Sequence, residues 1–236
     1  MELTNKTVLV TGSSRGIGAS LIEVLSKNKC SVIINYNNSL KEALELKNKI
    51  EKYSSSVLLI KCDITNTFEV KKMVKLIKDK YKKIDILINN AAISLDNDIL
   101  HKTKEEFIKV LEVNVFGTFL VTKELFPYIK ELVVNISSTD AEDTYNELSI
   151  DYSASKAAVN SLTKTLSKAI PNLKVIGIML PWVNTDSIKE ADPNYIKEEL
   201  KRTNQKYLLE PAVAAEKIVN IIKSNNKTGY TYRIGE

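Results

Sequence analysis

Short apolar, β-branched runs alternate along the chain with longer stretches whose apolar residues recur at helical spacing. That alternation predicts βαβ units building a parallel sheet. The predicted strands are Thr7 to Val10, Ser31 to Asn35, Val57 to Lys61, Asp85 to Ile88, Leu132 to Ile136, Lys174 to Leu180 and Tyr230 to Ile234. Predicted helices lie between them, over Gly16 to Lys27, Leu40 to Tyr53, Thr67 to Tyr81, Thr103 to Ile129, Tyr152 to Ala169 and Pro211 to Ser224. Val8-Leu9-Val10 and Val32-Ile33-Ile34 are apolar at every position, as strands covered on both faces must be. The pattern implies an α/β fold: one doubly wound, Rossmann-type domain over 1–236, with a seven-stranded parallel sheet flanked by helices. Asp186 to Glu210 breaks the rhythm. It is polar, lysine-rich and weakly periodic, and reads equally as a substrate lid or a plain surface excursion.

Composition narrows the function classes. The 236 residues are 44% hydrophobic and 27% charged, close to ordinary globular averages. The net charge of +5 comes almost wholly from lysine, since Arg15, Arg202 and Arg233 are the only arginines. Lysines interleaved with glutamates and asparagines read as a solvated surface, not as a nucleic-acid stripe. One histidine, His101, and two cysteines, Cys30 and Cys62, are too few for a zinc site or a disulfide framework, and the expectation is no metal. The lone histidine and the absence of a G-x-S-x-G elbow also argue against a Ser-His-Asp hydrolase. Met1 to Lys6 lacks the apolar stretch of a signal peptide, and the apolar runs fall far short of the roughly 18 residues of a membrane helix. A cytoplasmic protein with no membrane or nucleic-acid partner is expected.

Thr11-Gly12-Ser13-Ser14-Arg15-Gly16-Ile17-Gly18 joins the first strand to the first helix. Glycines there permit a tight turn and close backbone approach, and the following helix N-terminus offers free N–H groups to a pyrophosphate. The second strand ends in Asn35-Tyr36-Asn37-Asn38-Ser39, without the acid that accepts a ribose 2′-OH in NAD-binding patterns. Arg15 is free to pair with a 2′-phosphate, and the Asn and Ser side chains, Asn35 included, are candidate donors. NADP(H) is therefore expected in preference to NAD(H); the plain alternative for Arg15 is an exposed loop residue.

Tyr152 and Lys156 stand four apart on a predicted helix and so share a face. A phenol with a pKa near 10 is a poor proton shuttle at neutral pH, and an adjacent ammonium is expected to lower it. Ser138, at the carboxyl end of the fifth strand, faces the crevice where a doubly wound sheet takes its ligand.

Taken in order, Thr11 to Gly18, Asn89-Asn90-Ala91-Ala92, Asn114, Ser138 and Tyr152/Lys156 resemble the motif series of the short-chain dehydrogenases/reductases, among them the 3-oxoacyl-carrier-protein reductases. The resemblance spans nearly the whole chain. It implies Tyr152 as general acid/base, Lys156 as the cation that tunes it and holds the nicotinamide ribose, and Ser138 as a donor to the substrate oxygen. It further implies that Asn114 anchors a water linking Lys156 to solvent. Asp63 and Ile64 would contact adenine, and Asn90 and Ala91 would flank its ribose; the plain alternatives are a helix cap for Asp63 and a turn for Asn90. Gly12, Ser14, Gly16, Ile17 and Gly18 would line the pyrophosphate, and Pro181, Val183 and Thr185 the carboxamide. A homodimer or homotetramer through the helices over Thr103 to Ile129 and Tyr152 to Ala169 is implied as well.

Three departures stand out. Ala92 replaces a glycine, and Thr139-Asp140-Ala141-Glu142-Asp143 carries three acids where the serine loop ordinarily has a glycine. That loop should disfavour an anionic substrate unless lysines from Asp186 to Glu210 compensate. Trp182 replaces the glycine after Pro181, and either lines the pocket or turns outward. The expected activity is hydride transfer between NADP(H) and a carbonyl or secondary alcohol, with 3-oxoacyl thioesters as one substrate class. An NAD(H)-dependent alcohol or sugar dehydrogenase and a non-catalytic dinucleotide sensor or scaffold are the alternatives.

Overall fold

The computed structural model describes residues 1–54, 56–189 and 191–235. Seven parallel strands form one sheet: β1 (Thr7–Val10), β2 (Ser31–Tyr36), β3 (Ser56–Lys61), β4 (Ile84–Asn89), β5 (Ile129–Ser138), β6 (Lys174–Leu180) and β7 (Thr231–Arg233). Their spatial order is β3-β2-β1-β4-β5-β6-β7. The order reverses between β1 and β4, so a crevice opens outside their carboxyl ends.

The helices are α1 (Gly16–Lys27), α2 (Leu40–Ile50), α3 (Thr67–Tyr81), α4 (Lys104–Leu111), α5 (Thr118–Leu125), α6 (Ile150–Ala169), α7 (Asp186–Lys189), α8 (Pro193–Arg202) and α9 (Pro211–Lys223). Alternate strand residues serve opposite faces of the sheet. Val8, Val10, Val32 and Ile34 pack with Leu21, Leu25, Leu46, Ile218 and Ile222 of α1, α2 and α9. Leu9, Ile33, Leu87 and Val133 pack with Val70, Met73, Val121 and Leu125 of α3 and α5. Each fully buried Leu or Ile contributes about 2 kcal/mol, against about 0–1 kcal/mol for an exposed ion pair such as Lys75–Asp79. These two cores, not the lysine surface, hold the sheet in place.

The predicted strands and helices recur with small end shifts, with one exception. The stretch read as a single helix from Thr103 to Ile129 is α4, a π turn over Glu112–Gly117, α5 and a 3₁₀ turn over Phe126–Tyr128. Pro127 ends the helix, and β5 begins already at Ile129. At the π turn, the Asn114 carbonyl accepts the Thr118 hydroxyl at 2.9 Å. A Cβ on Gly117 would lie 2.6 Å from Ile64 Cδ1, so the turn sits directly against Ile64.

Candidate active site

The glycine loop is built to press backbone against backbone. Gly12 and Gly16 have φ of +59° and +57°, a region that favours glycine. A Cβ on Gly12 would meet Ala91 Cα at 2.8 Å, and one on Gly18 would meet Gly12 O at 2.6 Å. The Asn90 side chain donates to Thr11 O and Gly12 O at 3.0 and 3.1 Å, and the Thr11 hydroxyl accepts both the Asn90 and Ala91 N–H groups. Asn90 thus clamps the loop, as its plain turn reading has it.

α3 and α4 are capped by Asn66 and Thr103, whereas α1 has no side-chain cap and no acid in its first turn. Its first N–H groups and positive dipole end are left to an anion, beside the buried Ser14 and the exposed Arg15. Thr185 closes the other wall, its Cγ2 3.6 Å from where a Gly16 Cβ would stand. Val183 beside it is buried and bridges to Leu209, which fixes the segment that Pro181 begins. A turn cradled by glycines and an uncapped helix end suit a dinucleotide pyrophosphate.

Asn35 is placed differently from its sequence expectation. Its side chain is buried, accepting from Gly12 N and donating to Cys62 O, both at 3.0 Å. With both amide ends engaged it holds the loop and is not a donor to a 2′-phosphate. Asp63 does not cap α3; Asn66 does. Burial alone would push the Asp63 carboxyl up, but the Thr65 N–H and hydroxyl, the Lys109 charge and the Asn37 amide hold it below its ordinary value. It remains an ionised acceptor at the carboxyl end of β3, with Ile64 buried next to it.

β5 and α6 bring the reacting groups together. Ser138 ends β5, buried, and its hydroxyl is near enough to Tyr152 to pull the phenol down. Lys156 Nζ stands 5.3 Å from the Tyr152 ring centre and donates to Ile136 O at 2.9 Å. Burial lowers the Lys156 ammonium to about 8, with the Asp140 charge opposing. The Tyr152 phenol is pushed up, first by burial and then by Asp140, against the pull of Ser138. The sequence led to the expectation of a lowered phenol; desolvation sets the opposite direction here. Asn114 is fully buried, its amide spanning Ile93 N and O at 2.8 and 2.9 Å and reaching Ser155 Oγ at 3.0 Å. It ties the loop after β4 to α6 at Ser155, the residue immediately before Lys156.

Several contributors carry no recognisable motif. Lys102 and Asp151 form a buried ion pair at 3.0 Å, their side chains 3% and 0% exposed, and Asp151 also accepts the Tyr152 N–H at 2.9 Å. Trp182 is half-buried, turned in against α8. Its ring meets Tyr195 of α8 edge-on at 6.2 Å, and its buried indole N–H has no partner among the described residues. Gln205 holds the Trp182 backbone through both N and O, and the Tyr195 hydroxyl donates to Asn146 at 3.0 Å. α8 is thereby latched to the loop between β5 and α6. The acids of that loop meet arginine and asparagine. Arg233 grips Asp143 with two bonds, Asn160 donates to Glu142, and Arg202 of α8 sets its charge against Asp140. Ala92, the third departure, lies exposed.

Comparison with known proteins agrees with this architecture. Residues 6–196 match the family profile described as short chain dehydrogenase. A 3-oxoacyl-[acyl-carrier-protein] reductase of Synechocystis sp. is 33% identical over 172 residues, covering 71% of this chain and 69% of that protein. The oxidoreductase YhxC of Bacillus subtilis is 32% identical over 172 residues, 72% of this chain and 60% of that protein. In fold, a short chain dehydrogenase from Burkholderia cenocepacia solved in complex with NADP superposes with a TM-score of 0.92 at 24% identity, over 99% of this chain and 98% of that one. The chain belongs to the short chain dehydrogenase family and is an NAD(P)-dependent oxidoreductase.

Proposed function

We propose that this protein reduces a carbonyl compound with NADPH, Tyr152 giving the proton and Ser138 stabilising the substrate oxygen. The reading rests on one juxtaposition: Ser138, Tyr152 and Lys156 meet at the carboxyl end of the sheet where the uncapped α1 N-terminus also opens. The bound nicotinamide would supply the hydride, and the chain supplies placement and charge. Tyr152, held protonated by burial and Asp140, is suited to donate to the oxygen as negative charge develops there. Ser138, pinned at the strand end, offers a second donor to the same oxygen.

Lys156 must be an ammonium to support that charge. Reduction is expected to be steady below about pH 8 and to decline above it, as Lys156 loses its proton. A rate that continues to climb past that point would contradict the role of Lys156.

The substrate class we favour is a 3-oxoacyl thioester, on the likeness to the Synechocystis reductase. Assay of 3-oxoacyl thioesters, small ketones, sugars and secondary alcohols with NADPH and NADH tests this. Turnover confined to sugars with NADH would replace the reading by an NAD(H)-dependent dehydrogenase, and tight NADPH binding without any turnover by a sensor.

The preference for NADP(H) rests on Arg15, exposed at the loop, and on the absence of an acid at the end of β2. A charge-assisted contact contributes about 1.5–3 kcal/mol, so Arg15→Ala should lower the NADPH-to-NADH affinity ratio about ten- to hundredfold by fluorescence titration. An unchanged ratio would remove the assignment.

Assembly as a homodimer or homotetramer is part of the same reading. Ile108, Phe116 and Phe119 of the α4–α5 stretch are exposed apolar residues that a second copy would cover, and light scattering measures the resulting mass.

A further inference from the structure

Asp140 is an acid set into the reacting centre. It is 7% exposed, two residues after Ser138, and its own N–H donates to Ser138 Oγ at 3.2 Å. Its carboxyl accepts the Thr144 hydroxyl at 2.5 Å, and Thr144 is braced against Thr139 at 3.0 Å. Such short bonds from hydroxyl donors stabilise a carboxylate. The 3₁₀ turn Thr139–Ala141 that carries it packs against α6, the helix of Tyr152 and Lys156, and its charge acts on both; from α8 it meets the charges of Glu199 and Arg202, which pair with each other at 2.6 and 2.7 Å. Asp96 adds a further negative charge at Tyr152. The other acids of the loop, Glu142 and Asp143, are drawn to Asn160 and Arg233.

Granting the carbonyl-reduction reading, we propose that Asp140 is a positioning residue for proton transfer. Its main-chain N–H fixes Ser138, and its carboxylate holds Tyr152 and Lys156 in their protonated forms, so that the site gives a proton in reduction and takes one reluctantly in oxidation. The charge acts with the same sign on both partners. A negative neighbour disfavours phenolate and favours ammonium, and burial of all three groups leaves little water to screen it. Burial pushes the Asp140 carboxyl itself up, opposed by Thr144, Ser138 and Arg202.

The test is Asp140→Asn, which keeps shape and an acceptor for Thr144 while removing the charge. The alkaline limb of the reduction profile should move down by about one pH unit, the scale of a close charge partner. Oxidation at neutral pH should rise relative to reduction. In the ligand-free protein, NMR titration of the Lys156 ammonium, assigned by its loss in Lys156→Met, should move down alongside. If Asp140→Asn does not fold, Asp140→Ser carries the same expectation with less bulk. Unmoved profiles and an unmoved Lys156 titration in a folded variant overturn the proposal. A shifted Lys156 titration with no carbonyl turnover in either protein overturns the reductase reading and supports the electrostatic role.

Discussion

Tyr152→Phe should abolish reduction to within about a hundredth to a ten-thousandth of the parent rate, the range in which a positioned proton donor contributes. The substitution removes one oxygen and leaves the packing. The phenyl ring still lies 5.3 Å beneath the Lys156 ammonium, and Lys156 stays anchored on Ile136 O at 2.9 Å. The glycine loop is held by Asn35, Asn90 and Thr11, none of which touches Tyr152 among the described hydrogen bonds. NADPH affinity should therefore remain within a few-fold of the parent, which separates a chemical defect from a folding one. The measurement is single-turnover reduction alongside fluorescence titration of the cofactor. A rate within a few-fold of the parent would mean that another group delivers the proton, and the assignment of Tyr152 would fall.

The second large effect is on stability. Lys102 lies in the loop after β4 and reaches Asp151 at 3.0 Å with both side chains out of water, donating also to Leu95 O. Asp151 in turn accepts the N–H of Tyr152 and is entirely buried. Nearby, Asn97 N donates to Leu148 O at 2.8 Å and Ser149 donates to Asp96 at 2.6 Å, so the loop and the start of α6 are stitched along their length. Lys102→Met fills the same space but strands a buried carboxylate. Breaking such a pair from one side costs about 3–5 kcal/mol. For a chain of this size that corresponds to a fall in melting temperature on the order of 10 °C. Replacing both members, as in Lys102→Met with Asp151→Leu, should recover much of the loss, because two apolar groups leave no orphaned charge. A single variant that melts with the parent would show that water reaches the pair.

α8 adds a smaller consequence. Within the Asp186 to Glu210 stretch, ambiguous as lid or surface, Tyr195 ties α8 to the β5–α6 loop and Gln205, just after α8, holds the Trp182 backbone. The same stretch holds α7 and the short amphipathic α8, capped by Asp192 with Pro193 in its first turn. Neither signal was conspicuous in a stretch whose apolar positions are sparse.

Much was written in the sequence alone. Strand and helix periodicity placed β1, β6, α1 and α3 to the residue, because continuous apolar runs have no stable home except a sheet buried on both faces. The glycine loop was equally legible, since Gly12, Gly16 and Gly18 meet positive φ or backbone contacts under 3 Å that a side chain could not tolerate. Ser138, Tyr152 and Lys156 were singled out by order and spacing, which survive without knowledge of the packing. What the tertiary structure decided was the environment of those groups. The direction of the Tyr152 shift, the engagement of Asn35, the inward turn of Trp182 and the setting of Asp140 all depend on burial and on partners distant along the chain. Desolvation and Coulomb energy are set by distance in space, and linear spacing does not carry that distance.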